Sequence, residues 1–261
     1  MNIFGSEKTW IKRRFFDKIS SDGRPLDDSD IFTITRNYYH NEFLSEHDIR
    51  LFEKMKRENP RRYAIEGMGE WGISEGAIYT NYKVEDFNLI EIEKGRMDRR
   101  NPLKPVYGLD FGFSADPTAF VYALVDEKNY RIYVCKELYM YGATNLEIMK
   151  AISDIGFKSK LIYADSADPR TINELMMLGL INLTGVKKGR DSINAGIKKL
   201  QDYEIIVHPS CSNIQVELAN YVWAKDRQTD LITEKPIDDF NHLLDALRYS
   251  VQDINRQNFI W

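Results

Sequence analysis

Between residues 106 and 139 three apolar stretches follow one another with short breaks: 106–112, 118–125 and 131–139. Each has the length of a strand, and the polar break at Glu127-Lys128-Asn129 is short enough to turn the chain back on itself. After this meander, helical and extended patterns alternate. Residues 146–155 read as a helix, 161–165 as a strand, 169–178 as a helix with Pro169 near its first position, and 182–186 as a short strand. A helix over 192–201, a strand over 204–208, a helix over 213–223 and a terminal helix over 239–254 complete the pattern. Three strands in series followed by helix-strand alternation are expected to form a mixed α/β sheet with helices on its faces.

Two of these strands end in an acid. Tyr107-Gly108-Leu109-Asp110 and Leu161-Ile162-Tyr163-Ala164-Asp165 each carry a carboxylate out of an apolar run, where burial costs several kcal/mol unless the charge is paired or bound to metal. If the two strands are parallel neighbours, both carboxylates lie near one end of the sheet, and a divalent cation is the natural means of relieving their repulsion. The terminal helix adds to the set. Asp238, His242 and Asp245 share one face, whereas Leu243, Leu244 and Leu247 point toward the core and Asp239 is expected to cap the helix. Oxygen-rich ligation by Asp110, Asp165 and Asp245 favours Mg2+ or Mn2+, with His242 as a fourth ligand or a proton handler. Two such ions about 3.5–4 Å apart are an established device for phosphodiester hydrolysis.

Composition sets limits on this chemistry. With 43% hydrophobic residues among 261, the chain can bury one large or two modest cores. A net charge of -4 gives no bulk attraction to nucleic acid, so DNA contact must come from local patches. Lys187, Lys188 and Arg190, in a glycine-flanked loop after a short strand near the acid-bearing end, form the candidate patch. Lys12-Arg13-Arg14 and the cations around 54–62 read as solvated faces. No apolar run approaches the ~20 residues of a membrane span, and the N-terminus lacks a signal-peptide pattern, so a cytoplasmic protein is expected. Cys135 and Cys211 are too few and too far apart for a disulfide framework and read as reduced core residues.

The first part of the chain is less patterned. Ser45 and Asp48 form a capping box at the start of a helix that Asn59-Pro60 stops. Residues 67–72 fit a dinucleotide fingerprint letter by letter, but no helical pattern follows, which removes the reason for the motif. Residues 94–105, basic and bracketed by prolines, are expected to link a region over 1–93 to a domain over 106–256. Asp116 and Asp168, each before a proline, read as turn or helix-start residues.

Three segments together, Tyr107-Gly108-Leu109-Asp110-Phe111-Gly112-Phe113-Ser114-Ala115-Asp116-Pro117, Tyr163-Ala164-Asp165-Ser166-Ala167-Asp168-Pro169 and His242-Leu243-Leu244-Asp245-Ala246-Leu247-Arg248-Tyr249, resemble the nuclease domain of the large terminase subunit of tailed bacteriophages. Thr35-Arg36-Asn37-Tyr38-Tyr39-His40 and Gly69-Glu70-Trp71-Gly72 are similar to the end of that family's ATPase region. The resemblance implies a ribonuclease H-like fold with Asp110 on its first strand and Asp165 on its adjacent, parallel fourth. It implies Asp110, Asp165 and Asp245 as metal ligands, with His242 matching a histidine of one branch. It also implies endonucleolytic cutting of concatemeric double-stranded viral DNA during packaging in the host cytoplasm, with the small terminase subunit and the portal protein as partners. No phosphate-binding loop occurs in these residues, so no ATPase activity is expected from them. Alternative readings are a resolvase- or transposase-like nuclease of the same fold and a non-catalytic fragment that docks onto the motor.

Overall fold

The computed structural model describes residues 36–58, 63, 67–69, 76–112, 116–187, 189, 191–226 and 232–254. In chain order the elements are α1 (Glu46–Glu58), β1 (Tyr82–Val84), α2 (Leu89–Lys94), β2 (Lys104–Asp110), β3 (Pro117–Asp126), β4 (Arg131–Tyr141), α3 (Asn145–Asp154), β5 (Ile162–Ala164) and α4 (Pro169–Leu178). They continue with β6 (Leu183–Gly185), α5 (Ser192–Gln201), β7 (Glu204–Val207), α6 (Ser212–Asn220), β8 (Trp223–Lys225), β9 (Ile232–Pro236) and α7 (His242–Ser250).

Two compact units emerge, one comprising the described residues up to Ala77 with Ala219–Pro236 and the other Ile78–Leu218 with the residues from Ile237 onward. In the first, α1 opens on the expected capping box: the Ser45 N–H donates to Asp48 Oδ2 and the Asp48 N–H to Ser45 Oγ. Its Phe52 ring stacks on Tyr38, which meets Tyr63 edge-on. The same unit holds the β8–β9 hairpin.

The second unit is built on a seven-stranded sheet in the order β1-β7-β4-β3-β2-β5-β6. Its centre is the antiparallel meander β2-β3-β4, extended by parallel pairing of β5 and β6 on one side and of β7 and β1 on the other. β3 is buried along its whole length, because sheet neighbours and layers on both faces leave it little contact with water.

Alternation along β2 sorts its side chains between the two layers. Tyr107 and Leu109 join Phe120, Tyr122 and Leu124 of β3 in a core with Ile148 and Ile152 of α3 and Ile172 and Leu175 of α4. Gly108 and Asp110 face the other way, toward α7. A Cβ on Gly108 would lie 1.8 Å from the Ala246 carbonyl oxygen, so the glycine is what lets the α7 backbone rest directly on the strand. Leu243, Leu244 and Leu247 of α7 are fully buried, each contributing roughly 1.5–3 kcal/mol.

Four expectations give way. The sheet-bearing unit begins at Ile78 and not after 105: β1 pairs with β7, Leu103 is buried, and its N–H donates to the Gly95 carbonyl within the stretch expected to be a linker. Its cations misled because they reach outward, Arg96 to Glu93 and Lys104 to Glu127. The helix expected over 213–223 ends at Asn220, and Trp223 lies in a strand. The terminal helix starts at His242, three residues late, because Phe240 sits in the left-handed region at φ 59° and breaks the helical path. Asp238 therefore precedes the helix instead of sharing its face, and Asp239 does not cap it; Asn241 holds the N-cap position and makes no side-chain capping bond. With the added edge strand, the strands ending at Asp110 and Asp165 are the second and fifth of the chain.

Candidate active site

Asp110 is the last residue of β2 and Asp165 directly follows β5. The two strands are parallel neighbours, with Leu109 opposite Ala164 and the Asp165 N–H donating to the Leu109 carbonyl at 3.1 Å. The juxtaposition that the sequence could state only as a condition is thus present. The pleat does the rest: Leu109 and Ala164 point into the α3–α4 core, so Asp110 and Asp165 point to the face that α7 covers.

From α7 come His242 and Asp245, one turn apart. His242 Nδ1 lies 3.3 Å from Asp110 Oδ2, and its Nε2 is 4.0 Å from Asp116 Oδ1. Asp245 turns to the buried Arg248 at the next turn, its Oδ1 accepting from Nη2 at 2.5 Å and from Nε at 3.1 Å. Asp165 Oδ1 accepts the Ala167 N–H at 2.8 Å. Among the described residues no three His, Cys, Asp or Glu side chains are gathered closely enough in this arrangement to hold an ion.

The electrostatics nevertheless bind the group together. Asp110, only 7% exposed, has its carboxyl pushed up to about 6, first by burial and then by the charges of Asp245 and Asp165, against the downward pull of His242. The His242 imidazole is raised in turn, chiefly by its hydrogen bond to Asp110. The two upward shifts are compatible because burial dominates the acid and the hydrogen bond dominates the base. The nearby Tyr249 hydroxyl is raised by burial and then by Asp245, Asp110 and Asp165, so one phenol senses all three acids.

Of the cationic loop, Lys187 is exposed, and its backbone N–H donates to Gln252 Oε1 at 3.3 Å, beside the exit of α7. Lys188 and Arg190 lie outside the described residues, as do Glu70-Trp71-Gly72 of the glycine-rich segment. Asp168 caps α4, accepting from the Arg170 and Thr171 N–H groups, as expected. Cys135 and Cys211 are buried and free.

Sequence reasoning missed Glu217. This residue of α6 is 1% exposed and accepts the Leu244 N–H at 3.0 Å, and burial pushes its carboxyl up to about 7. In Ser212-Asn213-Ile214-Gln215-Val216-Glu217 nothing marks one acid as buried, because its burial depends on where α7 packs.

Two family models match: "Terminase RNAseH like domain" over residues 110–253, and "Phage terminase large subunit" over residues 4–70. Among curated proteins, the terminase large subunit of Bacillus phage SPP1 is 32% identical over 219 residues, which cover 82% of this chain and 50% of that protein. The PBSX phage terminase large subunit of Bacillus subtilis (strain 168) is 27% identical over 94% of this chain and 58% of its own. The chain thus spans about half the length of the curated relatives it matches. Among solved structures, the nuclease domain of the SPP1 large terminase, crystallised with bound Mn, superposes with a TM-score of 0.59 at 31% identity. That match covers 66% of this chain and 96% of that one. The large terminase of a thermophilic bacteriophage, at 24% identity and a TM-score of 0.50 over 96% of this chain and 61% of its own, agrees in fold. The sheet is ribonuclease H-like, and the chain belongs to the phage terminase large-subunit family, carrying its ribonuclease H-like nuclease-type domain.

Proposed function

We propose that this chain is a divalent-metal-dependent endonuclease that cuts double-stranded viral DNA during genome packaging. One observation carries the reading: Asp110 and Asp165 end adjacent parallel strands beneath the helix that presents His242 and Asp245. The donor types suit a hard divalent cation: Asp110, raised first by burial, also feels the charges of Asp245 and Asp165. Asp110, Asp165 and Asp245 would hold Mg2+ or Mn2+, and two ions suit the chemistry. Bound metal supplies a more acidic water and neutralises charge developing on the phosphate. Asp245, paired with Arg248 one turn inside α7, would supply the third carboxylate. His242 serves as a fourth ligand or moves a proton at Nε2, its Nδ1 fixed against Asp110.

The loop bearing Lys187, Lys188 and Arg190 would lie along the DNA phosphates. The N-terminal residues would belong to an ATPase region, and the small terminase subunit and the portal would be partners in the host cytoplasm. No helix among the described residues is long and apolar enough to cross a membrane. The test is cleavage of supercoiled plasmid in Mn2+ and in Mg2+: the protein nicks and linearises it, while Asp165→Ala leaves it intact. Intact plasmid in both metals, or equal cutting by Asp165→Ala, removes the proposal.

A further inference from the structure

Apolar packing decides which face of α7 meets the sheet, but it is non-directional and does not fix where the helix sits along its own axis. That position matters, because His242 must stay near Asp110 and Asp245 near both strand-end acids, and a misplacement of about 1 Å can cost 10²-fold in rate. Local capping does not supply it either: the Asn241 side chain makes no bond to the first turn. The first-turn N–H groups of a buried helix need acceptors, and here one comes from another helix. Glu217 Oε2 accepts the Leu244 N–H at 3.0 Å. This bond holds the helix at Leu244, between His242 and Asp245.

Glu217 is itself held by the sheet. Its helix, α6, begins against Glu137 of β4, whose carboxylate accepts from the Asn213 N–H at 2.8 Å, the Asn213 side-chain amide at 2.9 Å and the Ile214 N–H at 3.0 Å. Two carboxylates thus link β4 to α6 and α6 to α7. Tyr139, two residues beyond Glu137 on β4, brings its ring edge-on to His242, with centroids 6.5 Å apart.

We infer that Glu217 is a positioning residue for the site, setting the axial register of α7 and thereby the placement of His242 and Asp245 against Asp110. This rests on the nuclease reading for its functional consequence, though not for its geometry. The experiment compares the protein with Glu217→Gln and Glu217→Ala by amide hydrogen exchange across α7, Mn2+ calorimetry and steady-state plasmid cleavage. Glu217→Gln keeps a carbonyl acceptor and stays within about threefold of the parent in all three. Glu217→Ala speeds exchange at Leu243 and Leu244, weakens Mn2+ binding and lowers kcat, each by at least about tenfold, with KM for DNA unchanged. Exchange and kcat within about twofold of the parent in Glu217→Ala, or equal losses in Glu217→Gln, would overturn the inference. If Glu217→Ala does not fold, Glu217→Asp, which withdraws the acceptor by one methylene, must show the same exchange and kcat losses for the inference to stand. A parent protein that neither binds Mn2+ nor cuts defeats the nuclease reading instead, while the exchange comparison still decides whether Glu217 holds α7.

Discussion

Replacing Gly108 with alanine puts a methyl group where α7 already rests. The new Cβ would meet the Ala246 carbonyl oxygen at 1.8 Å and its carbon at 2.6 Å, with Ser250 Cβ at 3.1 Å. Two of these three neighbours are backbone atoms of a helix, so no side-chain rotation relieves the clash. To restore ordinary contact, α7 and β2 must separate by roughly 1.6 Å in a core packed to crystal density. Overpacking of this kind costs up to about 3 kcal/mol, offset by the 0.4–1 kcal/mol gained from a less flexible unfolded chain, for a net loss of about 2 kcal/mol. Urea unfolding reads this loss, with Gly189→Ala as control because nothing lies within 4 Å of a Cβ there. The same separation moves His242 and Asp245 away from Asp110, so plasmid cleavage should fall about 10²-fold even where the variant is fully folded. A Gly108→Ala protein as stable as the Gly189→Ala control and as active as the unsubstituted protein would refute the close seating of α7 on β2.

Two further outcomes follow from the buried charges. The Asp110 carboxyl titrates at about 6 in the folded chain against an ordinary 3.8, so between these values the native state keeps a proton that the unfolded chain has released. Stability of the metal-free protein therefore falls as pH rises from about 4 to about 6, by up to about 3 kcal/mol, and Asp110→Asn flattens that slope in parallel urea titrations; equal slopes contradict the burial. Arg248→Met strips the buried partner from Asp245 and should cost about 3 kcal/mol in the same assay, part of which returns on adding Asp245→Asn. A cost under about 1 kcal/mol would mean that Arg248 does not compensate that charge.

Much of the sheet was legible because its strands are long and apolar: β3 and β4 come within two residues of their expected bounds, and α4 and α5 match theirs. The strand-end position of Asp110 and Asp165 was legible for the same reason, since a carboxylate after an apolar run breaks the pattern visibly. Short, wet elements were not. Tyr82-Lys83-Val84 is half-exposed at a sheet edge, and its strand character comes from pairing with β7 and not from alternation. The β8–β9 hairpin shows only partial burial, so its polar residues mask the strands. The start of α7 was misplaced because Asp239 is a good capping type, whereas the deciding feature, the left-handed Phe240, has no signature in side-chain chemistry. Glu217 and Arg248 acquire their roles from tertiary neighbours, which no spacing rule encodes.

A divalent ion held jointly by Asp110, Asp165 and Asp245 is what the nuclease reading requires above all else. Anomalous diffraction from a crystal soaked in Mn2+ locates such an ion without recourse to activity. The expected result is a manganese peak among these three carboxylates that disappears in Asp110→Ala crystals soaked in the same way. A well-ordered crystal with no manganese there, or with the ion held elsewhere and unaffected by Asp110→Ala, would contradict the assignment.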